Sequence, residues 1–134
     1  MQGHQAYLDE VVAGCDAIQD WLAGVSASDA ALDAVMAHFA PHFTMIGTDG
    51  GLYDHAAMRA LFVRIAGRKP GLRITFSDTR VLAAYPAGAV VSYCEHQTDA
   101  SGVLPARRAT VVFERDAATG TVHWAHLQET FCVA

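Results

Sequence analysis

Residues 106–132, ARRATVVFERDAATGTVHWAHLQETFC, decide how this chain is read. Two runs rich in Thr, Val, Phe and Trp, Arg107–Arg115 and Thr121–Val133, flank Asp116-Ala117-Ala118-Thr119-Gly120. That intervening stretch has turn chemistry, with Gly120 free to take positive φ, and the pattern predicts a β-hairpin. If those residues form the loop, Arg115 faces Thr121, Val112 faces Trp124, Thr110 faces His126 and Arg108 faces Gln128. Side chains alternate with period two, so these groups share one face with Glu114 and Val122. That face is mixed, a Trp and valines among polar groups. The other carries Ala109, Val111, Phe113, Ala125, Leu127, Phe131 and Val133 and is mostly apolar. Neither face suits water, so both are expected to be covered.

Upstream, Leu8, Val11, Val12, Cys15, Ile18, Leu22 and Val25 recur at three- and four-residue intervals and predict an amphipathic helix from about Gln5 to Val25. Ser28 is a good N-cap for a second helix carrying Leu32, Val35, Met36 and Phe39, which stops near Pro41. His42–Gly47 alternates as a short strand, and Leu52-Tyr53 can return along it. Asp54 is placed to cap a third helix whose buried side is Met58, Leu61, Phe62 and Ile65, ending around Gly67. Leu72–Tyr85 and Ala89–Thr98 then read as strands joined through Pro86-Ala87-Gly88. With the hairpin they make an antiparallel meander. The order is α-α-β-β-α-β-β-β-β, an α+β chain with no repeat and no linker.

At 134 residues the chain is expected to be a single domain, residues 1–134. Its composition is 52% hydrophobic and 17% charged, which favours an enclosed pocket or a buried interface. A net charge of −5 argues against nucleic acid as a partner, since that needs a basic footprint. No apolar run approaches the ~20 residues of a membrane span, and no signal peptide is visible. Three cysteines, Cys15, Cys94 and Cys132, are odd in number and widely spaced, so reduced thiols and a cytoplasmic location are expected.

HFAPHFTMIG, a Gly-rich turn, LYDHAAMRALF and a meander ending in VHWAHLQETF together resemble the NTF2-like superfamily, with the SnoaL-like and DUF4440-type small proteins as the nearest groups. The resemblance implies a cone in which a strongly bent sheet wraps three helices, with a pocket at the wide end. It also implies a homodimer formed through the outer sheet face, in agreement with an apolar second face. Many relatives carry a final strand of the form W-x-x-x-H-x-H-x-S with alternate residues in the cavity. Here Val122, His126, Gln128 and Thr130 take those positions, and Trp124 sits among them.

His126 is accordingly the candidate catalytic residue, a general base or a hydrogen-bond donor to a bound carbonyl or anion. The alternative is a structural histidine bonded to Thr110. The expected pocket lining is Trp124, Gln128, Thr110, Tyr93 and Arg108, with Glu95 near the rim. Phe39, Met45 and Phe62 would be its apolar walls and Tyr7 a source of a phenol. Placing Tyr93 opposite Arg108 requires an even loop around Asp99–Gly102. An odd loop puts Ser92, Cys94 and His96 on that face.

Ketosteroid isomerases of this superfamily use an Asp base on the first strand and a second, protonated acid. Gly47 and Thr110 fall near those positions here, so isomerase chemistry of that type is not expected. His38 and His42 are separated by Pro41, and His123 and His126 point to opposite faces, so no metal and no other cofactor is expected. Three functions stay open: binding of a small, partly apolar molecule; SnoaL-like catalysis (isomerase, cyclase, dehydratase or hydrolase) through His126; and a homo-oligomeric assembly module.

Overall fold

The computed structural model describes residues Gln2–Val133. Its helices are α1 (Gln2–Ala23), α2 (Asp29–Met36) and α3 (His55–Ile65). Its strands are β1 (Phe39–Ile46), β2 (Leu52–Asp54), β3 (Arg73–Tyr85), β4 (Gly88–Asp99), β5 (Gly102–Val103), β6 (Arg107–Arg115) and β7 (Val122–Phe131). The helices pack on one mixed, mostly antiparallel, curled open sheet of order β2-β1-β7-β6-β4-β3, with β5 paired to β4. The predicted meander is β3-β4-β6-β7. β1 joins it by running parallel to β7, a contact across most of the chain that local pattern does not reveal.

The helix starts follow from capping. The Ser28 side chain accepts from the Ala31 N–H, and the Asp54 carboxylate accepts from the Ala57 N–H, so each satisfies one of the amides a helix leaves free at its first turn. α2 stops at Met36, and Pro41 lies inside β1. The β1–β7 register shifts between Phe39 and Thr44, so the ladder is already irregular where proline withholds its N–H. Gly88 opens β4 because nothing larger fits. A Cβ there would lie 2.0 Å from the Phe113 carbonyl oxygen.

The final hairpin differs from expectation in register. Arg115 pairs with Val122, not Thr121, and the pairing shifts again between Val112 and Phe113, leaving Ala125 as the extra residue of a β-bulge. One offset of one residue carries Val122 and Trp124 to the opposite face; beyond the bulge the two offsets cancel, so Arg108, Thr110, His126 and Gln128 still share a face. Trp124 consequently pairs with Phe113 and His126 with Val112, while Thr110 faces Gln128. Ala109, Val111, Phe113 and Leu127 are buried in the core, whereas Arg108, Thr110, Gln128 and Thr130 are exposed. The helices thus cover the face of Ala109, Val111, Phe113 and Leu127, which was expected outside, while Phe131 and Val133 at the end of the chain are exposed. The outer face is the polar one, which removes the sequence argument for a dimer through it.

The core centres on aromatic contacts. The Phe113 ring packs edge-on against Trp124 with centroids 5.1 Å apart, and stacks on Tyr7 at 5.9 Å. Phe39 bridges Trp124 and Phe43. Burying a side chain of this size contributes roughly 1.5–3 kcal/mol, so these rings fix how α1 sits on the sheet. The seam is also polar. Glu10 of α1 accepts from the Trp124 Nε1–H at 3.0 Å and pairs with His38 Nδ1 at 2.7 Å. That carboxylate raises the His38 pKa above its ordinary value, against the opposing effect of burial. All three cysteines are free, with the Cys94 and Cys132 sulfurs 3.8 Å apart. No helix among the described residues is long and apolar enough to cross a membrane.

Candidate functional site

Between α1, α3 and the inner face of the sheet lies a cavity of about 170 Å³. Each element contributes by its own period. α1 turns Cys15, Ile18 and Leu22 inward, and α3 turns Met58, Leu61, Phe62 and Ile65. β1 supplies Phe39 and Met45, and β7 supplies Trp124 and Leu127 on either side of the bulge. These walls are apolar.

The strands also carry polar groups into the same space. Odd-numbered residues of β4 face inward, so Tyr93, Glu95 and Gln97 line the cavity in succession. Arg107 from β6, Glu129 from β7 and Lys69 from the connection after α3 complete the cluster. Its members contact one another. Lys69 Nζ donates to Gln97 Oε1 at 3.3 Å, and Gln97 Nε2 donates to Glu95 Oε2. The Cys15 thiol points at Glu95 Oε1, 3.9 Å away. Arg107 Nη1 lies 3.6 Å from Glu129 Oε2. That is an ion pair too long for a good hydrogen bond. The guanidinium also sits over the Phe131 ring, 5.4 Å from its centroid.

Burial sets the protonation states. Glu95 and Gln97 are each 5% exposed, and the Glu129 side chain 12%. Burial first, then the charge on Glu95, pushes the Glu129 carboxyl from an ordinary 4.5 to about 7, with Arg107 pulling the other way. Burial likewise raises Tyr93 and Cys15 well above their usual values, so both stay neutral near pH 7. Cys15 is thus no activated nucleophile. Lys69 is lowered by burial and by the nearby Arg107. The Glu129 carboxyl is placed to exchange a proton near neutrality.

The chain belongs to the SnoaL-like domain family, whose pattern matches residues 15–132. It is an NTF2-like fold. An NTF-2 like protein of unknown function from Pseudomonas aeruginosa is 45% identical, with a TM-score of 0.89 over 96% of this chain and 99% of that one. At 16% identity, an NTF2-like protein from Cytophaga hutchinsonii superposes with a TM-score of 0.73 over 96% and 97% of the two chains. A ketosteroid isomerase-like protein from Erwinia carotovora atroseptica, 14% identical, gives 0.64 over 94% and 93%. The last two show the fold alone. No protein of curated function matches this SnoaL-like chain.

Within that family frame, Tyr93, Glu95, Trp124, Phe39, Met45 and Phe62 lie on the cavity wall. His126, Gln128, Thr110 and Arg108 do not: a register shift of two residues keeps them on one face, and the helices cover the other; Thr110 and Arg108 line a groove on the outer face instead, with Leu82 and Ser92. His126 Nδ1 is 2.7 Å from Thr44 Oγ1 on neighbouring β1, and its partner is not Thr110. Tyr7 packs on Phe113 in the core and does not line the cavity. The β4–β6 register is the odd-loop alternative, with Ser92 opposite Thr110 and Cys94 opposite Arg108. Since that face is the outer one, Tyr93 and Glu95 point inward all the same.

Lys69, Gln97, Arg107, Glu129 and Cys15 were not foreseen as lining. The signal for two of them was present. The apolar alternation Phe113, Val111, Ala109 extrapolates to Arg107, and Leu127 extrapolates to Glu129. Among the described residues, no group of His, Cys, Asp and Glu comes together that could hold a metal.

Proposed function

We propose that this SnoaL-like chain binds a small molecule with an apolar body and one polar end in the cavity between α1, α3 and the sheet. A single observation carries the reading. A buried cluster of carboxyl, guanidinium, amide and ammonium groups opens into a cavity whose remaining wall is hydrocarbon. Apolar enclosure with a few converging polar groups is how ligand sites are generally built. Core packing alone would not favour it, because burying charge costs several kcal/mol per ion unless the geometry repays it. The volume is on the scale of a single ring, since a cavity of roughly 150 Å³ admits benzene.

Trp124 forms part of the wall, so its fluorescence reports occupancy. Titration with one-ring compounds should quench or shift that emission. Ile18→Phe, which fills the space from α1 without adding an indole, should abolish the response while leaving the circular dichroism spectrum intact. A response that survives the filling substitution would show that binding occurs elsewhere.

A second reading, acid–base catalysis, is favoured by the Glu129 carboxyl at about 7, where a group can both give and take a proton. It replaces His126 as the acid or base. The discriminating result is a Glu129→Gln chain that retains its ligand and loses turnover.

A further inference from the structure

The cavity's polar cluster is out of balance in hydrogen bonding. The cluster's acceptors on β4 are used. Glu95 Oε2 accepts from Gln97, Glu95 Oε1 faces the Cys15 thiol, and Gln97 Oε1 accepts from Lys69. Its donors are not. Arg107 Nε is buried and has no partner. Lys69 donates one ammonium hydrogen to Gln97 and, like any ammonium, has two more to give. An unpartnered buried donor forfeits its hydration with nothing in return. What the cluster lacks is an acceptor for Arg107 Nε, since Glu129 Oε2 lies nearest Nη1, at 3.6 Å.

Charge points the same way. Arg107 and Lys69 bring two positive charges and Glu95 one negative. Glu129, desolvated and facing Glu95, keeps its proton below about pH 7. The cluster then carries one positive charge in excess.

Resting on the ligand-binding reading above, we infer that the cavity takes a one-ring monocarboxylate, its carboxylate received by Arg107 Nε and Lys69 and its hydrocarbon body lying between Ile18, Phe62 and Leu127. Glu129 in its acid form supplies a third donor, and its ionised form repels the ligand. Binding is therefore coupled to proton uptake. The charged and titratable groups facing Glu129 are Glu95 from β4, Arg107 from β6 and Lys69 from the connection after α3. The Tyr93 and Cys15 side chains are held neutral close by.

The test is calorimetric titration of the full chain with benzoate and with benzyl alcohol, its uncharged analogue, at pH 6 and pH 8. Benzoate should bind at least about tenfold more tightly than benzyl alcohol at pH 6. Its affinity should fall by about tenfold at pH 8 as Glu129 ionises. Glu129→Gln should flatten that dependence. Arg107→Lys keeps the charge but removes Nε, and should weaken benzoate without changing benzyl alcohol. Circular dichroism checks that both variants fold, and either alone suffices for the test. Benzyl alcohol binding as well as benzoate, or benzoate affinity equal at the two pH values, would overturn the monocarboxylate assignment and leave the pocket standing. Failure of both compounds to bind would overturn the pocket as well.

Discussion

Replacing Glu129 by Gln keeps the shape of the side chain and removes its charge, which isolates the cost of ionising a carboxyl in this cavity. The folded-state value of about 7 lies above the ordinary 4.5. Below pH 4.5 both the folded and unfolded chains hold the proton, and the stability linked to this group is fully present. Between the two values the unfolded chain releases its proton first, so stability falls as pH rises. Above about pH 7 the loss is complete. At about 1.4 kcal/mol per tenfold change, the gap amounts to roughly 3 kcal/mol, an order-of-magnitude figure already net of the Arg107 attraction. The Gln variant has no such slope. Urea unfolding of both chains from pH 4.5 to 8 should find them similar at the acid end, with Glu129→Gln the more stable by up to about 3 kcal/mol at pH 8. Other groups titrate alike in both chains and cancel in the difference. Parallel stability curves, or a Gln variant that loses ground as pH rises, would refute the reasoning.

Other expectations follow from single contacts. His126→Ala, on the outer face beside Thr44, should leave cavity binding unchanged within twofold by Trp124 fluorescence and cost about 1 kcal/mol of stability in urea. Gly88→Ala places a methyl against the Phe113 carbonyl oxygen at 2.0 Å. It should destabilise by about 3 kcal/mol or more, the upper end of overpacking, measured by thermal or urea unfolding. Glu10→Gln preserves an acceptor for Trp124 but removes the charge beside His38. By NMR titration the His38 pKa should drop. Because the pair raises that pKa, the stability it contributes is full below the ordinary 6.5 and lost as pH rises through the folded value. Glu10→Gln should accordingly cost more at pH 5.5 than at pH 8.5.

Elements with a local signature were legible in the chain before any coordinates. The apolar stripe of α1, the caps at Ser28 and Asp54, and the two-period runs of β3, β4, β6 and β7 each announce themselves within a few residues. Register did not. The bulge at Ala125 involves neither Gly nor Pro, and nothing in HWAHL marks where the alternation slips. Two offsets then acted together. The hairpin face was inverted and the β4–β6 pairing was shifted by one, so Tyr93 and Glu95 came out on the cavity side while His126, Thr110, Gln128 and Arg108 did not. The mixed face was read as the pocket because pockets mix polar and apolar groups. A solvent-facing strand does so too. The better guide was to give the more apolar face to the helices, which leads to Arg107 and Glu129 at its ends. The parallel β1–β7 pairing and the approach of Lys69 to Gln97 are tertiary and have no local mark.

The measurement that bears most directly on the central claim is methyl-resolved NMR of the chain titrated with benzoate at pH 6. Ile18, Ile74 and Leu127 line the cavity, whereas Leu82 is exposed in a groove on the outer face and Val112 belongs to that face. The account predicts saturable shifts at Ile18, Ile74 and Leu127, with Leu82 and Val112 unmoved. Shifts confined to Leu82 and Val112 would place binding on the outer face and contradict it.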